Sequence, residues 1–447
     1  MTFKIKTLLG ISLIVSSGTA MAATEAPVEN LMQVYQQALD NSPQYKADFY
    51  TMQSSKMAEP IALGALLPNI GLNAGATLNQ IQTTPESGSY RNYTAGITLT
   101  QTLFNYGDYQ TYQASKQSAL SAEETYNAQK QQFILDVATA YFNVLNAKEQ
   151  VVFLKEKLKS VKSTLDQSKL KLKVGMSTSV DVKTAEANYY SALADLKAAE
   201  NSLESAYYAL YQYTGVDNKS LADLKSNVNF TNPAPDNIDE WVKRAHASNP
   251  NLKAQIYTQN AAAKTWSAST GNFLPNVSLM ANYSVNDNSG SSFATDAASL
   301  PLGNYSNGYV GVTFSWNILN GGSDYAARKQ AAFNYQAAEF TTLDQQRSIT
   351  QNIEVDFYNV VSGVKQIEAY KQSVIAAKAA YEQYQARYKV GSSTITEVLD
   401  QLQKLYESMS LLATAKYQYV TDVLQLKLDA GTLSERDVQI FNSWLKS

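Results

Sequence analysis

The chain has 447 residues, a formal net charge of −3, no cysteine and a single histidine, His246. Without cysteine, disulfides, thiolate chemistry and thiolate metal sites are excluded, as is a lipid anchor on an N-terminal cysteine. One histidine builds neither a histidine metal cluster nor an ordinary acid–base triad, and interspersed lysines and acids near neutrality point to no nucleic-acid partner.

At the N-terminus, Lys4 and Lys6 precede an apolar run from Leu8 to Val15 and then Ala20-Met21-Ala22. A charged start, a short apolar middle and a small-residue cleavage site predict a secretory signal peptide over residues 1–22. No later segment approaches the ~20 apolar residues that a membrane helix needs, so any membrane insertion has to use β-strands.

Helical periodicity runs from Leu31 to Leu63 and stops at Pro68. Two strands follow, over about 69–80 and 92–104, where period-two alternation sets Ile70, Leu72 and Leu78 on one face against Asn73, Thr77 and Asn79 on the other. A turn-rich loop, Thr83 to Ser89, separates them. Long helices are predicted over about 106–173 and 178–214. In the first, Phe133, Val137, Ala140, Val144, Ala147, Val151, Leu154, Leu158, Val161 and Leu165 keep an unbroken four–three spacing. The partner keeps it from Val182 through Leu196 to Tyr213. Such a seam specifies a left-handed coiled coil, with Gly175 at the turn that makes the pair antiparallel.

Residues 216–240 read as a linker marked by Pro233-Ala234-Pro235, and residues 241–431 then repeat the plan of 23–215. Asn41-Ser42-Pro43 returns as Ser248-Asn249-Pro250, Leu67-Pro68-Asn69 as Leu274-Pro275-Asn276, and Lys173-Val174-Gly175 as Lys389-Val390-Gly391. The second repeat carries strands at about 276–287 and 308–319 and long helices at about 323–389 and 394–430, the tip turn falling at Gly391. Residues 432–447 follow as a C-terminal equatorial segment.

The strands fit a transmembrane β-barrel, although a soluble half-buried sheet gives the same alternation. Phe104, Phe273 and Trp316 fall near the helix-side strand ends, where a barrel carries an aromatic girdle. Four strands cannot close a barrel in lipid, because an unpaired backbone group there costs several kcal/mol. Two subunits give eight strands with a nearly filled interior and three give twelve with a lumen, so the physics favours at least three.

The duplicated helix–strand–strand–helix–helix plan, the Val-Gly-x-x-Thr tips and the ending from Leu426 to Asp437 resemble the TolC-like outer-membrane efflux proteins, in the branch without a lipid anchor. The resemblance covers essentially the whole chain after residue 22. It implies an α+β membrane protein: a trimeric twelve-stranded transmembrane barrel, four strands per subunit, continuous with a periplasmic α-helical barrel of antiparallel coiled-coil hairpins. It also implies a homotrimer in outer-membrane lipid, partnered by a periplasmic adaptor (membrane fusion) protein and an inner-membrane transporter, with no cofactor and no catalysis. The cargo would be drugs, secreted polypeptides or both.

The family's acidic gate ring follows the second tip, and Val390-Gly391-Ser392-Ser393-Thr394-Ile395-Thr396-Glu397-Val398-Leu399-Asp400 matches it. Glu397 and Asp400 are therefore the expected gate, on one helix face at i, i+3. Tyr388 and Asp181 match positions that latch neighbouring hairpins, while Ser393 stands where better-known members carry an arginine. The lysines from Lys155 to Lys173 read as a solvated helix face or as an adaptor dock. A periplasmic coiled-coil adaptor is the rival architecture: the heptads suit it, but the alternating strands argue against it.

Overall fold

A computed structural model describes residues 28–82, 87–289 and 303–446. The predicted signal peptide, part of the Thr83–Ser89 loop and Ser447 lie outside the described residues. The chain opens with α1 (Leu31–Asn41), α2 (Pro43–Lys56) and α3 (Ala58–Gly64), then β1 (Asn69–Gln82) and β2 (Ser87–Phe104). α4 (Tyr106–Lys173) and α5 (Ser179–Thr214) complete the first repeat. The second has α6 (Ile238–Ser248), α7 (Pro250–Ser269), a 3₁₀ turn (Thr270–Phe273), β3 (Asn276–Ser289), β4 (Gly303–Ser315), α8 (Ser323–Lys389) and α9 (Ile395–Asp429). A short α10 (Glu435–Asn442) ends the described chain.

Four sequence expectations change. β2 starts at Ser87, inside the expected loop, and β4 at Gly303, because each runs on as far as its partner does: Ser87 pairs with Gln82 and Gly303 with Asn288. The single opening helix is three, because Ser42 leaves helical geometry, accepts a hydrogen bond from Tyr45 N and starts a new helix at Pro43. A proline at the first helical position has no N–H to lose, so the break costs little. The last strand ends at Ser315 rather than at residue 319. Ser315 pairs with Asn276, and beyond that point the neighbouring chain has turned into the 3₁₀ segment, leaving nothing for residues 316–319 to pair with.

The strands form one antiparallel sheet in the order β1-β2-β3-β4, so the two repeats join through the β2–β3 pair. β1 and β4 are open edges: among the described residues nothing pairs with their outer sides. One face is apolar and exposed, with Leu72 86%, Val310 75% and Phe314 63% accessible. On the other face polar side chains bond across the strands, as where Asn282 Nδ2 donates to Thr98 Oγ1 at 2.9 Å.

Every residue of the two heptad seams of α4 and α5 is buried or half-buried, as the periodicity requires. At 1.5 Å per residue the 68 residues of α4 span roughly 100 Å. The main core lies at the equator, where α4, α8, α9 and α10 meet the linker around Tyr141, Phe142, Val360, Leu424 and Phe441. Tyr141 donates to Ala222 O at 2.9 Å and fixes the linker there. A second core near the tips joins Val161 and Leu165 with Ala185, Tyr388, Val398 and Leu402. His246 is exposed on α6, its Nε2 3.0 Å from Thr350 Oγ1.

Candidate functional site at the hairpin tips

Both long hairpins end in the same loop. Val174 and Val390 close α4 and α8, and Gly175 (φ 74°) and Gly391 (φ 79°) then take the left-handed conformation that glycine adopts without penalty. Met176 N donates to Lys171 O at 2.8 Å and Gly175 N to Leu172 O at 3.1 Å. In the second tip Ser392 N donates to Arg387 O at 2.9 Å and Gly391 N to Tyr388 O at 3.2 Å. The paired bonds satisfy carbonyls that a helix end leaves open.

The returning helices start alike. Thr178 caps α5 and Thr394 caps α9, each in a reciprocal box with the residue three further on. In α9 that residue is Glu397: its Oε2 accepts from Thr394 N at 2.7 Å, Ser393 Oγ at 2.8 Å and Thr394 Oγ1 at 3.0 Å. In α5 it is Asp181, whose Oδ2 accepts from Thr178 N at 2.9 Å and Ser177 Oγ at 3.0 Å. The backbone N–H of the capping threonine, helped by the hydroxyls, holds both carboxyls below the usual carboxylate range. Both are therefore ionised at neutral pH. Asp400, one turn further along α9, is exposed.

Within one subunit Tyr388 and Asp181 stay apart. Among the described residues of one subunit they share no hydrogen bond, and Asp181 Oδ2 accepts from its own helix start. Tyr388 is buried, 8% exposed, and docks instead on α4. Its hydroxyl lies 3.3 Å from Ser168 Oγ, and Lys171 Nζ donates to its carbonyl at 3.0 Å. Within the subunit the Ser393 hydroxyl serves the Glu397 cap. The capping boxes were legible as Thr-x-x-Glu and Thr-x-x-Asp, and Ser168 falls three residues after Leu165, at the next position of the four–three seam; no periodicity singles out Lys171.

The lysines below the first tip do not share one environment. Lys157 is buried and pairs with Asp195 at 3.1 Å, whereas Lys159 is solvated and meets only Glu156, at 3.6 Å. At the opposite end of the helices Phe104, Phe273 and Trp316 are all partly exposed beside the sheet, and Trp316 Nε1 donates to Phe273 O at 3.2 Å. Among the described residues no group of acids and histidine is arranged to hold a metal ion, and no helix is long and apolar enough to cross a membrane.

A family model described as outer membrane efflux protein matches residues 34–216 and 241–432, one stretch for each repeat. The outer membrane protein TolC of Vibrio cholerae serotype O1 is 32% identical over 442 residues, covering 99% of both chains. The alkaline protease secretion protein AprF of Pseudomonas aeruginosa is 24% identical over 420 residues, 92% of this chain and 86% of its own. Among solved structures, the CmeC outer membrane channel of Campylobacter jejuni superposes with a TM-score of 0.78 at 19% identity, covering 98% of each chain.

Proposed function

The chain belongs to the outer membrane efflux protein family, and from that membership we propose that it is a passive exit duct gated at its hairpin tips. It is an outer-membrane channel with a large periplasmic portion, serving efflux and type I secretion. Three copies pool their four strands into a twelve-stranded barrel, and their hairpins into a coaxial helical tube. The open sheet carries this reading: an apolar exposed face suits lipid, and two unpaired edges demand neighbours in a medium that offers the backbone no partner.

Phe104, Phe273 and Trp316 mark the periplasmic-side interface of the outer membrane in this arrangement. At the far end Glu397 and Asp400 repeat around a threefold axis as acidic rings, which favour cations and bind multivalent ones. The tip turns at Gly175 and Gly391 form the closing edge. In this reading the energy for transport comes from an inner-membrane transporter joined through a periplasmic adaptor.

The test is single-channel recording of purified protein in a planar bilayer, wild type beside the Glu397→Ala/Asp400→Ala pair. A small, cation-selective wild-type conductance is expected, growing in the double mutant and losing its block by a multivalent cation. Silence from both, in protein shown to be folded, would overturn the duct and favour a periplasmic spacer.

A further inference from the structure

We infer that Lys171 is the cation that holds the closed tip, clamping the first hairpin of each subunit to Tyr388 of the second. The inference rests on the gated-duct reading above and names the part that does the holding. α9 packs against both α8 and α4, so α8 and α4 are separated along much of the wall. At the tip they meet directly. Lys171 Nζ stands 3.6 Å from the centroid of the Tyr388 ring and also donates to the Tyr388 carbonyl at 3.0 Å. That carbonyl lies in the last turn of α8, at the negative end of the helix, where a cation is favoured. The Tyr388 hydroxyl meets Ser168 Oγ, which is fully buried. Ring face, carbonyl and hydroxyl of one residue are thus all held by α4, and splaying the hairpins breaks all three contacts together.

The duplication shows that the clamp is specific to this seam. Aligned on Val174-Gly175 and Val390-Gly391, Lys171 and Leu172 stand where the second repeat has Arg387 and Tyr388. Arg387 does not reach across in the same way; it folds back, 3.3 Å from Ser392 O and 5.4 Å from the Tyr384 ring. The same contact made between the second hairpin of one copy and the first of the next would set Arg387 against Leu172, which has neither ring nor hydroxyl. Each subunit therefore carries one such clamp, internal to it.

The experiment uses the full chain in planar bilayers: wild type, Lys171→Met, Lys171→Arg, Tyr388→Leu, and Lys171→Met combined with Tyr388→Leu. Lys171→Met and Tyr388→Leu should each raise the open-to-closed ratio about tenfold, which corresponds to about 1.4 kcal/mol. Lys171→Arg should stay near wild type, and the combination should add little to either single change, since both remove one contact. Additive effects, or a conducting wild type that Lys171→Met leaves unchanged, overturn the clamp and leave the duct standing. Because the chain has no cysteine, spin labels on Lys173→Cys and Lys389→Cys measure the tip separation even if no current flows. A broader, longer distance on adding Lys171→Met, with the thermal unfolding midpoint unchanged, supports the clamp; an unchanged distance overturns it. A silent wild type overturns the duct alone, and the label distance then decides the clamp.

Discussion

Asp356 on α8 faces Asp429 and Asp422 of α9 near the equatorial core. Burial, then the hydrogen bond and charge of Asp429 and the charge of Asp422, push its carboxyl up from 3.8 to about 8. Burial also raises Asp422. A carboxyl raised by folding contributes stability that is full below its unfolded value and is lost as pH climbs through the folded one. Asp356→Asn, neutral at every pH, should therefore raise the thermal midpoint at pH 8 while changing little at pH 4. A melting series across that range checks it, and an unaltered pH dependence would clear Asp356 of the effect. None of this is visible in the sequence, where the three acids are scattered through two helices. At the tips, by contrast, Thr178 with Asp181 and Thr394 with Glu397 are readable as helix starts, because a capping box is a local device with a fixed spacing.

At the scale of elements, the heptads of α4 and α5 forecast burial residue by residue, since a coiled coil has one degree of freedom and periodicity sets it. The tip core tests that geometry. Leu402 is 1% exposed between the hairpins, and Leu402→Ala should cost about 3 kcal/mol, the transfer term plus the cavity left behind. Guanidinium unfolding followed by helical circular dichroism measures it. Lys159→Ala, on the solvated side of α4, should stay within about 0.5 kcal/mol. Where the sequence misled, a strand partner decided one case and a local cap the other. The last strand stops at Ser315 because its partner does, and α1 and α2 are separate because Ser42 caps a new helix at Pro43.

At the scale of the whole molecule, a single chain leaves β1 and β4 open and an apolar sheet face uncovered. An arginine placed there is costly only if the face meets lipid. Val310→Arg, on the exposed apolar face, should destabilise the membrane-inserted assembly by about 2–4 kcal/mol. Thr313→Arg, pointing to the opposite face of the same strand, should be tolerated. The yield of oligomer extracted from the outer-membrane fraction compares them, and equal yields would remove lipid from that face.

The sequence by itself determined the duplication, the strand alternation, the helix lengths and the tip turns. Each depends on residues near one another in the chain: a period of two, a heptad, a glycine able to take a positive φ. Only the tertiary structure decided what the tip residues touch. Lys171 and Tyr388 lie more than 200 residues apart, and their contact exists because four long helices bring two hairpin ends side by side. Such a contact carries no periodicity, so no reading along the chain isolates it.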